Sequence, residues 1–199
     1  MLTLMSCERR ANVAIAQPLG RANLYFVVDK SGSMNTKENR KEVEVTLGTF
    51  VDNAQLSDST LRISIVTFAD TVEVVTPLTS HRANLYAGID AISNDDRAST
   101  SGYLKPALSR VEDLVIDSWN EQIDSVSPTP AYIVIITDGL VSDQEDALSM
   151  AEVLRINDYM HLMTLSVCKS GECASQYLVQ LAGNKESVLT REQMIAFRY

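Results

Sequence analysis

Short apolar runs alternate along this chain with stretches whose apolar residues recur every three or four positions, a pattern that predicts strands separated by helices. The first run, Leu24-Tyr25-Phe26-Val27-Val28, is rich in strand-favouring residues and predicts a buried strand from about Asn23 to Asp29. After Met34, Asn35 or Thr36 is placed to cap a helix extending toward Ala54, with Val43, Leu47, Phe50 and Val51 at helical spacing. Leu61 to Phe68 alternates and then turns apolar, as a strand entering a sheet does. Ala69-Asp70 leaves room only for a hairpin, so the strand from Thr71 to Leu78 should run antiparallel. Pro77 near its end suits an edge position.

Further on, a short helix from Arg82 to Ile92 and a longer one from about Tyr103 to Trp119 flank a polar loop, with Pro106 in the first turn of the second. Tyr132-Ile133-Val134-Ile135-Ile136-Thr137 is the most uniformly apolar run and predicts a central strand buried on both faces. A helix from about Asp143 to Asn157, a strand from His161 to Val167 and a helix from roughly Cys173 to Ala182 follow, with Gly183 as a natural stop. A short strand at Val188-Leu189 and a helical start from Arg191 to Phe197 close the chain. The predicted fold is α/β, three-layered and doubly wound. Its sheet is mainly parallel, with one antiparallel edge strand and helices on both faces.

Composition narrows this only a little. With 199 residues, 45% hydrophobic and 22% charged, the chain reads as one soluble globular domain. A net charge of -9, from 17 basic against 26 acidic residues, argues against bulk nucleic-acid binding. No stretch approaches the ~20 apolar residues of a membrane span. Met1 to Cys7 is apolar but too short for a secretory core and is closed by Glu8-Arg9-Arg10, so no signal peptide is visible. The chain as it stands therefore reads as cytoplasmic, or as a fragment whose export signal was lost. Cys168 and Cys173 are either a small local disulfide or two ordinary thiols, and Cys7 is left over. Two His and no paired Cys-x-x-Cys make a zinc site a poor expectation.

The chemistry gathers at strand ends. Asp29 is followed by Ser31 and Ser33 around Gly32, and Asp138 is followed by Gly139. In an open α/β sheet the carboxyl edge of the strands is where ligands bind. Two carboxylates brought together there would repel and desolvate poorly unless a cation or hydrogen bonds compensated. The loop before the Tyr103 helix adds the hydroxyls of Ser99, Thr100 and Ser101. Such an all-oxygen set suits a hard cation, Mg²⁺ rather than zinc, with one position of its octahedral shell free for a partner's oxygen. Asp70 and the Asp95-Asp96 pair read as solvated turn residues, Lys30 as a surface residue pointing out of the motif, and His81 and His161 as structural. Trp119 is expected to be partly buried.

Asp29-Lys30-Ser31-Gly32-Ser33 resembles the Asp-x-Ser-x-Ser motif of the von Willebrand factor A (integrin I-like) family, and Thr137-Asp138-Gly139 resembles the segment that carries its second Asp. The resemblance runs from about Asn23 onward, and Leu24 to Ser33 also looks like the matching segment of the anthrax toxin receptors. It implies a lead-in over 1–21 and a family domain over 22–199, its last helix truncated. It further implies a metal-ion-dependent adhesion site for Mg²⁺, with Mn²⁺ or Ca²⁺ as alternatives. There the two Ser hydroxyls and a loop Thr bind directly, and the Asp residues bind directly or through water. The Asp or Glu carboxylate of a partner protein completes the shell. The family's loop Thr lies five residues before a small helical residue, and counting back from Ala107 lands on Gly102. A small insertion then makes Thr100, or alternatively Ser101, the ligand; failing both, water fills the gap. The expected metal ligands are Asp29, Ser31, Ser33, Thr100 and Asp138.

The function this implies is a non-enzymatic binding or adhesion module, extracellular or on a cell surface, with a protein partner and no nucleic acid. Two alternatives stay open. One is an intracellular domain of the same family serving a metal-dependent assembly. The other is a haloacid-dehalogenase-like phosphotransferase with Asp29 as nucleophile, although that chemistry wants a second Asp where Ser31 stands.

Overall fold

Every residue of β1, Ala22–Asp29, is buried, and its side chains divide between two cores. Leu24, Phe26 and Val28 enter one apolar cluster, Tyr25 and Val27 the other. A strand with no polar face needs helices on both sides, and the chain supplies them. The computed structural model describes residues 21–96, 99–122, 127–167 and 175–195. The expected lead-in as far as Gly20, the three cysteines and the chain end beyond Ile195 lie outside the described residues.

The remaining elements are α1 (Lys37–Asn53), β2 (Leu61–Phe68), β3 (Val72–Thr79), α2 (Arg82–Asn94), α3 (Leu104–Asn120), β4 (Ala131–Thr137), α4 (Gln144–Ile156), β5 (Met160–Ser166), α5 (Ser175–Ala182), β6 (Val188–Leu189) and α6 (Arg191–Ile195). They form one six-stranded sheet in the order β3-β2-β1-β4-β5-β6. All neighbours are parallel except β2 and β3, whose antiparallel pairing is irregular around Ile65. β3 is an edge, and Pro77, which cannot donate to a ladder, sits exposed on it.

Val43, Leu47 and Phe50 of α1, Leu85, Ile89 and Ile92 of α2, and Met194 of α6 pack on one face of the sheet. Phe50 meets Phe26 edge to face at 5.5 Å. Leu104, Leu108, Val111 and Val115 of α3, Ala147, Ala151 and Leu154 of α4, and Leu178 and Leu181 of α5 cover the other face. Local signals set the helix ends. Thr36 caps α1 by accepting the Asn39 N–H at 3.1 Å. Gly183, at φ 82°, ends α5 in the left-handed region. No helix among the described residues is long and apolar enough to cross a membrane.

The topology locates the functional edge. From β1 the chain crosses through α1 to β2 on one side, while β4 lies on the other, so the strand order reverses between β1 and β4. Crevices at such reversals, beyond the carboxyl ends of the strands, are where doubly wound sheets hold ligands. Val28 pairs with Ile136, so Asp29 leaves β1 beside Thr137 and Asp138 at the end of β4.

Candidate metal centre

Asp29 is 3% exposed, and both of its carboxylate oxygens are engaged. Oδ1 accepts the Ser31 N–H at 2.8 Å, and Oδ2 accepts the Thr137 hydroxyl at 2.6 Å. Burial pushes the Asp29 carboxyl above the usual carboxylate range. The Thr137 and Ser31 hydrogen bonds oppose that rise, and the nearby charge of Asp138 adds to it. Ser31 is buried, and its hydroxyl lies 3.3 Å from that of the exposed Ser33. Asp138, 8% exposed, accepts the Leu140 N–H on Oδ1 at 2.9 Å. The turn that presents it depends on Gly139, which sits at φ 85° and donates its N–H to Thr137 Oγ1 at 3.0 Å.

Asp29, Ser31, Ser33 and Asp138 are thus brought to one spot. Thr100 lies in the loop before α3. It is exposed and makes no hydrogen bond to any of the four among the described residues. Gly102 is the loop residue that packs there. A Cβ on Gly102 would stand 3.1 Å from Ser31 Cβ and 3.5 Å from both Asp29 Oδ1 and Ser31 Oγ. The loop also presses on Gly32, where a Cβ would come within 2.8 Å of the Ser99 carbonyl oxygen. Both glycines therefore serve close approach between the loop and the motif.

Two expectations are overturned. Lys30 is no surface residue: its side chain is 16% exposed and its ammonium pairs with Asp95. Asp95 is accordingly no solvated turn residue; its side chain is 9% exposed and it caps the end of α2. Asp70 and Asp96 are exposed as expected, and Trp119 is half-buried with its indole N–H on Thr129 O at 2.8 Å.

Other residues of the site carried no readable signal. Asp143 stands at the start of α4 yet makes no side-chain cap there. Its carboxylate instead accepts the Leu104 and Lys105 N–H groups at 2.9 and 2.8 Å, capping α3 from across the crevice. Ser142 N–H donates to Gly102 O at 2.8 Å, so the loops that carry Asp138 and Gly102 are stitched together. Tyr177 of α5 buries its hydroxyl without a hydrogen-bond partner among the described residues. Burial, then the charges of Asp143 and Asp29, push that phenol well above its usual range.

The residues fit a hard divalent cation. Two adjacent carboxylates, one buried deeply enough to be driven toward protonation, gain from a positive charge, and the Ser31 and Ser33 hydroxyls add neutral oxygens. Among the described residues no three of His, Cys, Asp and Glu converge, so a cation here would rest on these two carboxylates and on hydroxyls.

The model of the von Willebrand factor type A domain matches residues 23–196. The chain is 32% identical over 135 residues to a UPF0353 protein of Nocardia farcinica, covering 65% of this chain and 38% of the relative. To matrilin-3 of Gallus gallus it is 26% identical over 143 residues, covering 69% and 30%. The chain therefore spans well under half the length of these curated relatives. Among solved structures, the manganese-loaded TRAP protein of Plasmodium vivax matches with a TM-score of 0.74 and 17% identity, over 89% of this chain and 71% of that one. Proximal thread matrix protein 1 of the mussel byssus, with a zinc-occupied MIDAS motif, matches with a TM-score of 0.67 and 18% identity, over 88% and 45%.

Proposed function

The chain belongs to the von Willebrand factor type A family, and from that premise we propose that it is a protein-binding module that captures its partner through a bound divalent cation. Asp29, Ser31, Ser33 and Asp138 would hold the cation, with Thr100, or a water over Gly102, supplying the remaining loop oxygen. Mg²⁺ is the cation these hard oxygen donors favour, with Mn²⁺ close behind. When bound, it would offer a Lewis-acidic position to an Asp or Glu carboxylate of a partner protein. The observation that carries the reading is the pair of buried carboxylates, Asp29 and Asp138, beside two Ser hydroxyls at the strand-order reversal.

The surroundings suit a protein partner. Tyr103 and Leu140 are 43% and 58% exposed, and they directly flank Gly102 and the Asp138-Gly139 turn. Large apolar side chains left in water beside a polar centre favour a partner that covers them. Leu24 to Ser33 resembles the matching segment of the anthrax toxin receptors, and on that resemblance a cell-surface receptor is the finer form of the proposal. No catalytic step is assigned. Asp29 as a nucleophile would need an acid/base two residues on, where Ser31 stands.

Calorimetric titration with Mg²⁺ and Mn²⁺ tests this directly. Binding to the wild type is expected, and Asp29→Ala and Asp138→Ala should each abolish it. A wild-type protein indifferent to both metals would sink the proposal. Steady turnover of a phosphate ester that depended on Asp29 would replace it with the phosphotransferase reading.

A further inference from the structure

Lys30 occupies a variable position of the metal motif, yet its side chain turns inward. Its ammonium pairs with the Asp95 carboxylate, the two side chains being 16% and 9% exposed. Asp95 is where α2 stops: its N–H closes onto Ile92 O, and its extended backbone starts the next loop. Arg40 of α1 reaches the same point, with Nη1 donating to Asn35 Oδ1 at 2.6 Å and to Asp95 O at 3.4 Å. A cation from the end of β1 and another from α1 therefore hold the first residue of the loop.

The loop's later course gives that anchor its significance. Ser99 lies over Gly32, and its hydroxyl accepts the Asp70 N–H while donating to Ser101 O. Gly102 seats on Asp29 and Ser31, and Tyr103 N–H donates to Ala69 O at 3.1 Å. The far end is thus pinned to the β2–β3 turn and to the Asp138 loop. The near end is pinned by Lys30, one residue from Asp29. An exposed pair would matter little, because water would replace either partner. Partial burial of both side chains makes this pair harder for water to replace.

We propose that Lys30 and Asp95 are positioning residues for the metal centre: their ion pair fixes the entry of the loop that starts at Asp95, so that its exit at Gly102 stays seated on Asp29 and Ser31. This rests on the metal-binding reading above, and neither residue is assigned as a ligand. The affinity for the cation then depends on a contact outside its coordination shell.

The test uses the full chain and two readouts, Mn²⁺ titration and backbone hydrogen exchange of the Asp95 and Tyr103 amides in chelator. Lys30→Met and Asp95→Asn should each weaken Mn²⁺ binding by about tenfold or more and speed exchange at both amides by a similar factor. Lys30→Arg should keep most of both. Arg82→Met removes bonds to the Val51 and Ala54 carbonyls at the other end of α1; it should lower the melting temperature and leave both readouts unchanged. If Lys30→Met does not fold, the double variant Lys30→Met/Asp95→Leu carries the same readouts, because it removes both charges of the pair together. Mn²⁺ affinity within about twofold of wild type in Lys30→Met and Asp95→Asn would overturn the positioning role while leaving the metal centre standing. Failure of the wild type itself to bind Mn²⁺ would overturn the metal reading, and the positioning role with it.

Discussion

Thr137→Val removes one hydroxyl from a position that is 0% exposed and barely alters the side chain's shape. That hydroxyl donates to Asp29 Oδ2 at 2.6 Å and accepts the Gly139 N–H at 3.0 Å. A hydrogen bond to a charged acceptor contributes roughly 1.5–3 kcal/mol, and a buried amide left unpaired costs about 1–3 kcal/mol. The added methyl returns roughly 1 kcal/mol through apolar burial. The net loss in chelator is therefore about 2–4 kcal/mol at neutral pH, or roughly 5–15 °C in melting temperature for a domain of this size. The penalty should also depend on pH, with a definite sign. Burial already raises the Asp29 carboxyl, so its folded form binds a proton more readily than the unfolded chain. Stability from this group is full below the ordinary carboxylate pKa and is lost as pH rises through the raised folded value. Removing the Thr137 bond, which opposes the rise, moves the folded value higher still. The gap between variant and wild type should thus be largest at neutral pH and shrink toward about pH 4. Urea denaturation in chelator at both pH values measures it, with Thr137→Ser, which keeps the hydroxyl and loses a methyl worth ~1 kcal/mol, as control. Equal losses in Val and Ser, or a Val penalty that ignored pH, would refute the role given to this hydrogen bond.

Two further changes probe the scaffold. Gly48 lies inside α1 with nothing within 4 Å of an added Cβ, whereas at Gly88 of α2 that atom would fall 2.0 Å from the buried Thr76 Oγ1, which has no hydrogen-bond partner among the described residues. Gly48→Ala should stabilise by about 1 kcal/mol through helix propensity, while Gly88→Ala should destabilise by roughly 1–2 kcal/mol and be relieved in a Thr76→Ala background, all read by thermal melts. Asp143→Ala frees the Leu104 and Lys105 N–H groups and should cost about 1–2 kcal/mol, with faster amide exchange at those two residues in particular.

The architecture was legible where a residue's role depends on its near neighbours in sequence. Thr36 as a cap, the short Ala69-Asp70 turn that forces β3 antiparallel, and Gly183 as a stop each act within a few residues. Asp29 and Asp138 were legible for the same reason, since each ends an apolar strand and only the strand order was needed to join them. The inward turn of Lys30 was not. Its partner lies 65 residues away, and the pairing depends on where α2 ends relative to β1. The loop ligand failed to resolve for a related cause. A loop has no period, so counting back from Ala107 gives Gly102 as the aligned position but cannot say where a neighbouring hydroxyl goes. Asp143 stands at the start of its own helix in sequence and instead caps α3, a choice made by the crevice rather than by the local sequence.

The donor set also bears on why a partner's carboxylate would complete such a site. Asp29 and Asp138 together carry two negative charges, which balance one divalent cation and no more. A third protein carboxylate would saturate the cation, and in the metal-free chain it would add repulsion to a group that burial already drives toward protonation. Ser31 and Ser33 avoid both effects because hydroxyls donate oxygen without charge. A cation bound there would be neutralised overall but still short of its preferred anionic ligands, at an edge flanked by exposed Tyr103 and Leu140. An incoming Asp or Glu would meet a position it can enter with little electrostatic opposition, and apolar groups beside that carboxylate would find partners on the rim. In the proposed function, the acidic character of the chain does not compete with this event. Its exposed charges are screened over about 10 Å at ordinary ionic strength, whereas the cation would act at contact distance.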